Sequence, residues 1–135
     1  MTDRDLVDKL LAAIETCVQE LRTQTQLDRI DDDVRERRFV EHTLQIAIQA
    51  ALDAASHVVS DGRLGEPATN RELFELLATA GWIDRPLMER LRRMVGMRNI
   101  LVHGYTKVDP AQLRLAVTND LGDLLTFAAR LRKRL

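Results

Sequence analysis

One cysteine, three prolines, six glycines and an aromatic content of only 4% mark this 135-residue chain by what it withholds. A lone cysteine, Cys17, closes no intrachain disulfide, so a disulfide-stapled secreted scaffold is excluded and a reducing compartment is expected. Scarce aromatics leave a core of Leu, Ile, Val and Ala, which suits helices better than sheets. No apolar run approaches the roughly 20 residues that a membrane span requires. The first residues, Met1-Thr2-Asp3-Arg4-Asp5, are acidic and polar, unlike a secretory leader. A soluble cytoplasmic protein without membrane contact is the expectation. Charge of one sign is also lacking: charged residues make up 30% of the chain, yet the net charge is −1. A globally basic nucleic-acid binder is thereby excluded, and any contact with RNA or DNA must use a local patch.

What the chain does have is length for one core and punctuation for helices. A domain of this size buries about 68% of its unfolded surface, and a single domain over residues 1–135 is expected. Thr2 with Asp5 reads as a capping box, followed by a helical stripe of Leu6, Leu10, Ile14, Cys17 and Leu21. Cys17 on that stripe reads as a small core thiol. After the polar stretch Thr23 to Asp32, Asp33 with Glu36 opens a long Ala-rich helix ending at Asp61-Gly62. Gly62 to Ala68 is a loop, and Thr69 with Glu72 boxes a short third helix stopped by Gly81. Asp84 and Pro86 start a fourth helix through Leu87, Leu91, Met94 and Val95, with Gly104 placed as its C′ residue. Asp109-Pro110 starts a fifth, through Leu113, Val117, Leu121, Leu124, Phe127 and Leu131. No segment alternates with period two, so the fold class expected is all-α, a compact antiparallel bundle of about five helices.

The chemistry concentrates in Met97-Arg98-Asn99-Ile100-Leu101-Val102-His103-Gly104-Tyr105. Within eight residues it supplies a permanent cation, an amide, an imidazole that titrates near neutrality and a phenol. Those groups suit work on a phosphodiester. Arg-x4-His alone is weak in a chain so rich in arginine; Arg37 and His42 show the same spacing inside the second helix and read as incidental. Asn99, Gly104 and Tyr105 have no counterparts around His42. Metal ligands are scarce: the three histidines are isolated, and the dense carboxylate run Asp31 to Asp33 reads as a helix cap and solvated loop. No metal and no cofactor is expected.

These motif residues resemble the signature of the HEPN superfamily and, within it, the HepT toxin family. The second helix, with Gln45, Ala50, Ala51, Asp53, Ala55 and His57, is similar to that family's long helix, and so is the segment from Leu73 to Gly81. The resemblance implies a helical homodimer that cleaves RNA without a metal. It assigns Arg98 to the scissile phosphate, His103 to acid–base work and Asn99 to positioning. It also implies a nucleotidyltransferase antitoxin of the MntA type as partner, which adenylylates the tyrosine that Tyr105 matches. AMP two residues from His103 would crowd the site and repel a phosphate backbone.

Read without the resemblance, the residues allow more than one account. RNA carries its own nucleophile, the 2′-OH, so a base and a cation suffice. Positions five apart on a helix differ by about 140° around its axis, whereas positions four apart differ by about 40°. Asn99 and His103 therefore share a face, and Arg98 does not share it. The Arg98 side chain must wrap, the helix must end early, or a second copy must contribute, which points to a composite site in a homodimer. Asp53, an acid on an Ala-rich face, needs a partner and is a candidate to orient Arg98 or His103. Gly104 and Arg93 are further candidate supporting residues; Trp82 and Phe74 read as packing. The alternative is a non-catalytic helical module whose Arg98/His103 cleft holds a nucleotide or a partner enzyme.

Overall fold

A computed structural model describes residues 3–103 and 108–135, and every element among them is helical. Helix α1 spans Arg4–Gln24, α2 Val34–Asp61, α3 Asn70–Thr79 and α4 Arg85–His103. The fifth helix, α5, opens as Pro110–Leu115, widens into a π turn over Ala116–Asp120 and continues as Leu121–Arg134. A 3₁₀ turn, Leu27–Arg29, links α1 to α2 and brings Ile30 into the core. No helix among the described residues is long and apolar enough to cross a membrane.

Side-chain cross-links fix the directions of the helices. Arg132, near the end of α5, reaches Glu15 of α1 at 2.7 Å, whereas Arg114, near its start, pairs with Asp31 beyond the end of α1. Helices α1 and α5 are therefore antiparallel. Arg90, early in α4, meets Asp123 past the middle of α5 at 2.8 Å, while Ile100, near the end of α4, lines one groove with Leu115, near the start of α5, so α4 is antiparallel to α5 as well. The short link between α1 and α2 reverses the chain, which leaves α2 antiparallel to α4. Ala47, Ala50, Ala51, Ala54 and Ala55 of α2 are all buried, and their small side chains let neighbouring helices come close. Phe74 of α3 meets Phe127 of α5 edge to face at 5.7 Å between centroids.

Helix starts follow the expected residues more closely than the expected bonds. The cap of α1 is Asp3, which accepts from the Leu6 amide at 3.1 Å; the anticipated Thr2 lies outside the described residues. Asp33 caps α2 by accepting from Arg35 and Glu36, but the Glu36 carboxylate reaches back to the Gln26 amide instead. Thr69 makes no side-chain cap, and Glu72 takes the Ala68 amide. Asp84 and Asp109 cap as expected, on Leu87 and Ala111. Gly81 ends α3 at φ 82°, with Trp82 donating to the Leu77 carbonyl, a left-handed turn that a side chain would strain.

Two expectations about faces need correction. The first turns of α1 bury Val7 and Leu11 rather than Leu6 and Leu10; Leu6 is 37% exposed. Apolar residues stand there in adjacent pairs, Leu6-Val7 and Leu10-Leu11, so either member of each pair continues the stripe by spacing alone. The π turn in α5 was not expected either. Leu113, Val117 and Leu121 recur at steps of four, each drifting about 40° on an α-helix, and a wider turn absorbs that drift. All three are buried.

Candidate functional site

Helix α4 presents its sequence as three sides. Leu87, Leu91 and Met94 face the core, and Arg98 continues that inward register one turn further, where the core thins. The guanidinium is consequently half-buried against α2. Its Nε donates to Oε1 of Gln49 at 3.0 Å, and Nη1 donates to Oδ1 of Asn99 at 3.1 Å. Gln49 is held in turn: its Nε2 donates to Oδ1 of Asp53, one turn along α2, at 2.9 Å. The amide thus accepts from a cation and donates to a carboxylate, which fixes its orientation. Asp53, Gln49, Arg98 and Asn99 form one relay across two helices.

Asp53 itself is exposed, so burial does not create its need for a partner, contrary to the sequence expectation. It acts on Arg98 through Gln49, a residue the sequence reading passed over. Gln49 was detectable in principle: it stands four residues before Asp53, the spacing at which helical side chains meet.

His103 is the last residue of α4 and is exposed. The helix is continuous from Arg98 through His103, so an end before His103 does not bring the two together. Their positions remain about 140° apart around the axis, and Asn99 lies on the His103 side. Gly104 and Tyr105 fall outside the described residues. Among the described residues, no three His, Cys, Asp or Glu side chains converge as a metal site would require. His42 is exposed and Arg37 faces Glu41 at 3.7 Å, so nothing joins that second Arg-x4-His pair. Cys17 is buried, and burial followed by the charge of Glu20 pushes its thiol up, away from a nucleophilic thiolate.

The third side of α4 borders a groove of about 700 Å³ against the π turn of α5. Its floor is Met94, Met97 and Ile100, its far wall Leu115 and Ala116, and its rim carries Arg71, Arg93, Asn119 and Asp120. Arg93, a candidate supporting residue, is therefore exposed beside this groove rather than bonded to Arg98. The carboxyl of Asp120 is raised above its ordinary range by burial and by Asp123, with Arg93 opposing. The C-terminal basic cluster is largely structural: Arg132 binds Glu15, and Arg134 stacks on Trp82 at 4.1 Å.

Comparison with known proteins bears on what this arrangement does. The family model described as ribonuclease HepT-like matches residues 10–131. An mRNA nuclease HepT of Shewanella oneidensis is 33% identical over 125 residues, covering 91% of this chain and 93% of that protein. A tRNA nuclease HepT of Aphanizomenon flos-aquae is 32% identical over 92 residues, 68% of this chain and 63% of the relative. Among solved structures, a tri-AMPylated HEPN toxin of Shewanella oneidensis in complex with an MNT antitoxin superposes with a TM-score of 0.89 at 28% identity. That match covers 98% of this chain and 99% of the other.

Proposed function

The chain belongs to the ribonuclease HepT-like family, and on that premise we propose that it is an endoribonuclease toxin of a toxin–antitoxin pair, acting in the cytoplasm through Arg98 and His103. The observation that carries this reading is the Asp53–Gln49–Arg98–Asn99 relay. A half-buried guanidinium held by two side chains is a prearranged anion site, and holding it before substrate arrives avoids reorganisation during reaction.

The reaction is transesterification of an RNA phosphodiester. His103 in its neutral form takes the proton of the 2′-OH, and the resulting alkoxide attacks phosphorus. The bond from phosphorus to the 5′-oxygen breaks, and that oxygen leaves with a proton from imidazolium. Arg98 balances the negative charge that gathers on the phosphoryl oxygens, and Asn99 keeps the guanidinium aligned with the His103 side of the helix. The nucleophile comes from RNA itself, so the scheme requires no metal.

A homodimer supplies what one helix face lacks. Ile46 is 41% exposed one turn before Gln49 on α2, and Val102 is 36% exposed one turn after Arg98 on α4. Because α2 and α4 are antiparallel, both apolar residues extend from the relay toward the same end of the bundle as His103. Their association in a two-fold dimer brings the two motifs to one cleft. The partner that silences the toxin is a nucleotidyltransferase of the MntA type, which adenylylates Tyr105. The relative bearing three AMP groups beside its MNT antitoxin supports that assignment.

The test is cleavage of RNA in EDTA by protein expressed without a partner, beside His103→Ala. Cutting by the parent and not by the variant is expected. Loss of parental cutting in EDTA would overturn the metal-independent scheme, and equal cutting by both proteins would remove His103 from the site.

A further inference from the structure

We propose that the groove between α4 and the π turn of α5 is an RNA subsite, in which Arg71 and Arg93 take backbone phosphates and Met97, Ile100 and Leu115 take the base of a nucleotide adjoining the scissile phosphate. The proposal rests on the ribonuclease reading and adds a substrate path to it. Three observations converge on that occupant.

The first is unspent charge. In this region Arg90 is committed to Asp123, and Arg92 to Glu75 and Glu89. Among the described residues neither Arg71 nor Arg93 has a carboxylate oxygen within the 4.0 Å of an ion pair. Two guanidinium groups outside any such ion pair, against one carboxylate, Asp120, lining the same groove, form on a chain of net charge −1 the kind of local patch that a nucleic acid requires.

The second is continuity with the motif. Arg71 lies across Gly96 of α4, where an added Cβ would stand 3.2 Å from its Nη2. The same arginine borders a smaller hollow with Asn70, Val95 and Asn99, as well as the groove. Around the α4 axis the order is Arg98, Asn99, His103, Gly96, Ile100, Arg93, in steps that follow from about 100° per residue. A strand leaving Asn99 and His103 therefore passes under Arg71 and enters the groove at Arg93.

The third is exposed aliphatic surface on the floor and the far wall. Ile100 is 42% and Leu115 59% exposed, facing a hollow of the size that small ligands occupy. The faces of all four bases can rest on aliphatic side chains, so the subsite sets register along the strand more than sequence.

The experiment measures binding of 2′-O-methyl oligonucleotides of two to six residues, which cannot be cut, alongside cleavage of their unmodified counterparts. Parent affinity is expected to rise with length. In Arg71→Ala/Arg93→Ala that rise should shrink about 10²-fold, since each bond from a cation to phosphate contributes about tenfold. The slope of log affinity against log salt should fall by about 0.7 per removed cation. Gly96→Ala should weaken the longer oligonucleotides while keeping the helix, because alanine favours it and only the tip of Arg71 must move.

A uniform loss at every length, or none, overturns the subsite. Normal RNA binding with loss of the nucleotidyltransferase partner assigns the groove to protein docking, and dissociation of the homodimer assigns it to a second copy; either result overturns it too. Length-dependent binding without cleavage of any RNA keeps the subsite and removes the nuclease reading instead.

Discussion

Arg98 and His103 stand five residues apart on one helix under opposite physical conditions. Arg98 lies in the inward register of α4, half-buried, with its guanidinium shared between Gln49 and Asn99. His103 lies at the helix end and is exposed. The cation is oriented by two side chains of the same copy, whereas among the described residues no side chain is hydrogen-bonded to the imidazole. The difference teaches that one helix can hold a cation in a prearranged hydrogen-bond network and, five residues on, carry an imidazole out to solvent; in the proposed reaction these are the electrostatic and the proton-transfer halves.

The largest effect is expected at the imidazole. His103→Ala should lower kcat about 10³-fold, the usual contribution of a positioned acid or base, and flatten the pH–rate profile. Arg98→Lys tests the other half. Lysine keeps the charge but offers no planar fork to meet Gln49 and Asn99 together, so a loss of about 10²-fold is expected with the profile's shape retained. If Arg98→Lys works as well as the parent, charge alone matters and the relay contributes nothing.

Next is the assembly. Ile46→Asp with Val102→Asp places charge on both exposed apolar positions beside the relay. The double variant should sediment as a monomer and retain helicity, with cleavage reduced at least about 10²-fold because the second motif is missing. A monomer that still cuts at the parental rate would show that one chain brings Arg98 to His103 unaided.

How much of this was legible beforehand differs between the halves as well. The helix order, the caps at Asp33, Asp84 and Asp109 and the stop at Gly81 are local chemistry, and local chemistry is written in neighbouring residues. The motif was legible for the same reason. Gln49 was not, because its importance depends on which α2 residue meets Arg98, 49 positions away, and that follows from packing. Arg71 was hidden likewise, since its place over Gly96 depends on how α3 crosses α4. The π turn was not legible either, because the four-residue steps of Leu113, Val117 and Leu121 fit the face of an ordinary α-helix just as well.

A smaller effect loosens the oriented half toward the condition of the other. Gln49→Leu removes the acceptor of Arg98 and the donor to Asp53 together, and about a tenfold loss in kcat is expected, with little change in KM. Asp53→Asn leaves Gln49 free to reverse its amide, so about a threefold loss is expected. In the double variant the losses should not add, because Asp53 acts only through Gln49. Additive losses would show a separate path from Asp53 to the site.

The smallest effect extends the contrast to the neighbouring groove, where an acid rather than a cation is out of balance. The Asp120 carboxyl is raised by burial and by Asp123, while Arg93 opposes the shift and Asp123 is itself held by Arg90. A carboxyl raised on folding contributes stability that is fully present below its ordinary value of 3.8 and lost as pH rises through the raised one. At neutral pH the ionised group is therefore a burden, and Asp120→Asn should raise Tm there. The difference should close as pH falls into the carboxylate range. The same substitution removes a negative charge from the groove and should tighten RNA binding modestly at pH 7, with the advantage over the parent shrinking in acid. A lower Tm for Asp120→Asn at neutral pH would instead mean that the ionised carboxylate makes a favourable contact. Arg93 is the cation to examine first in that case, since it already draws the carboxyl toward its charged form.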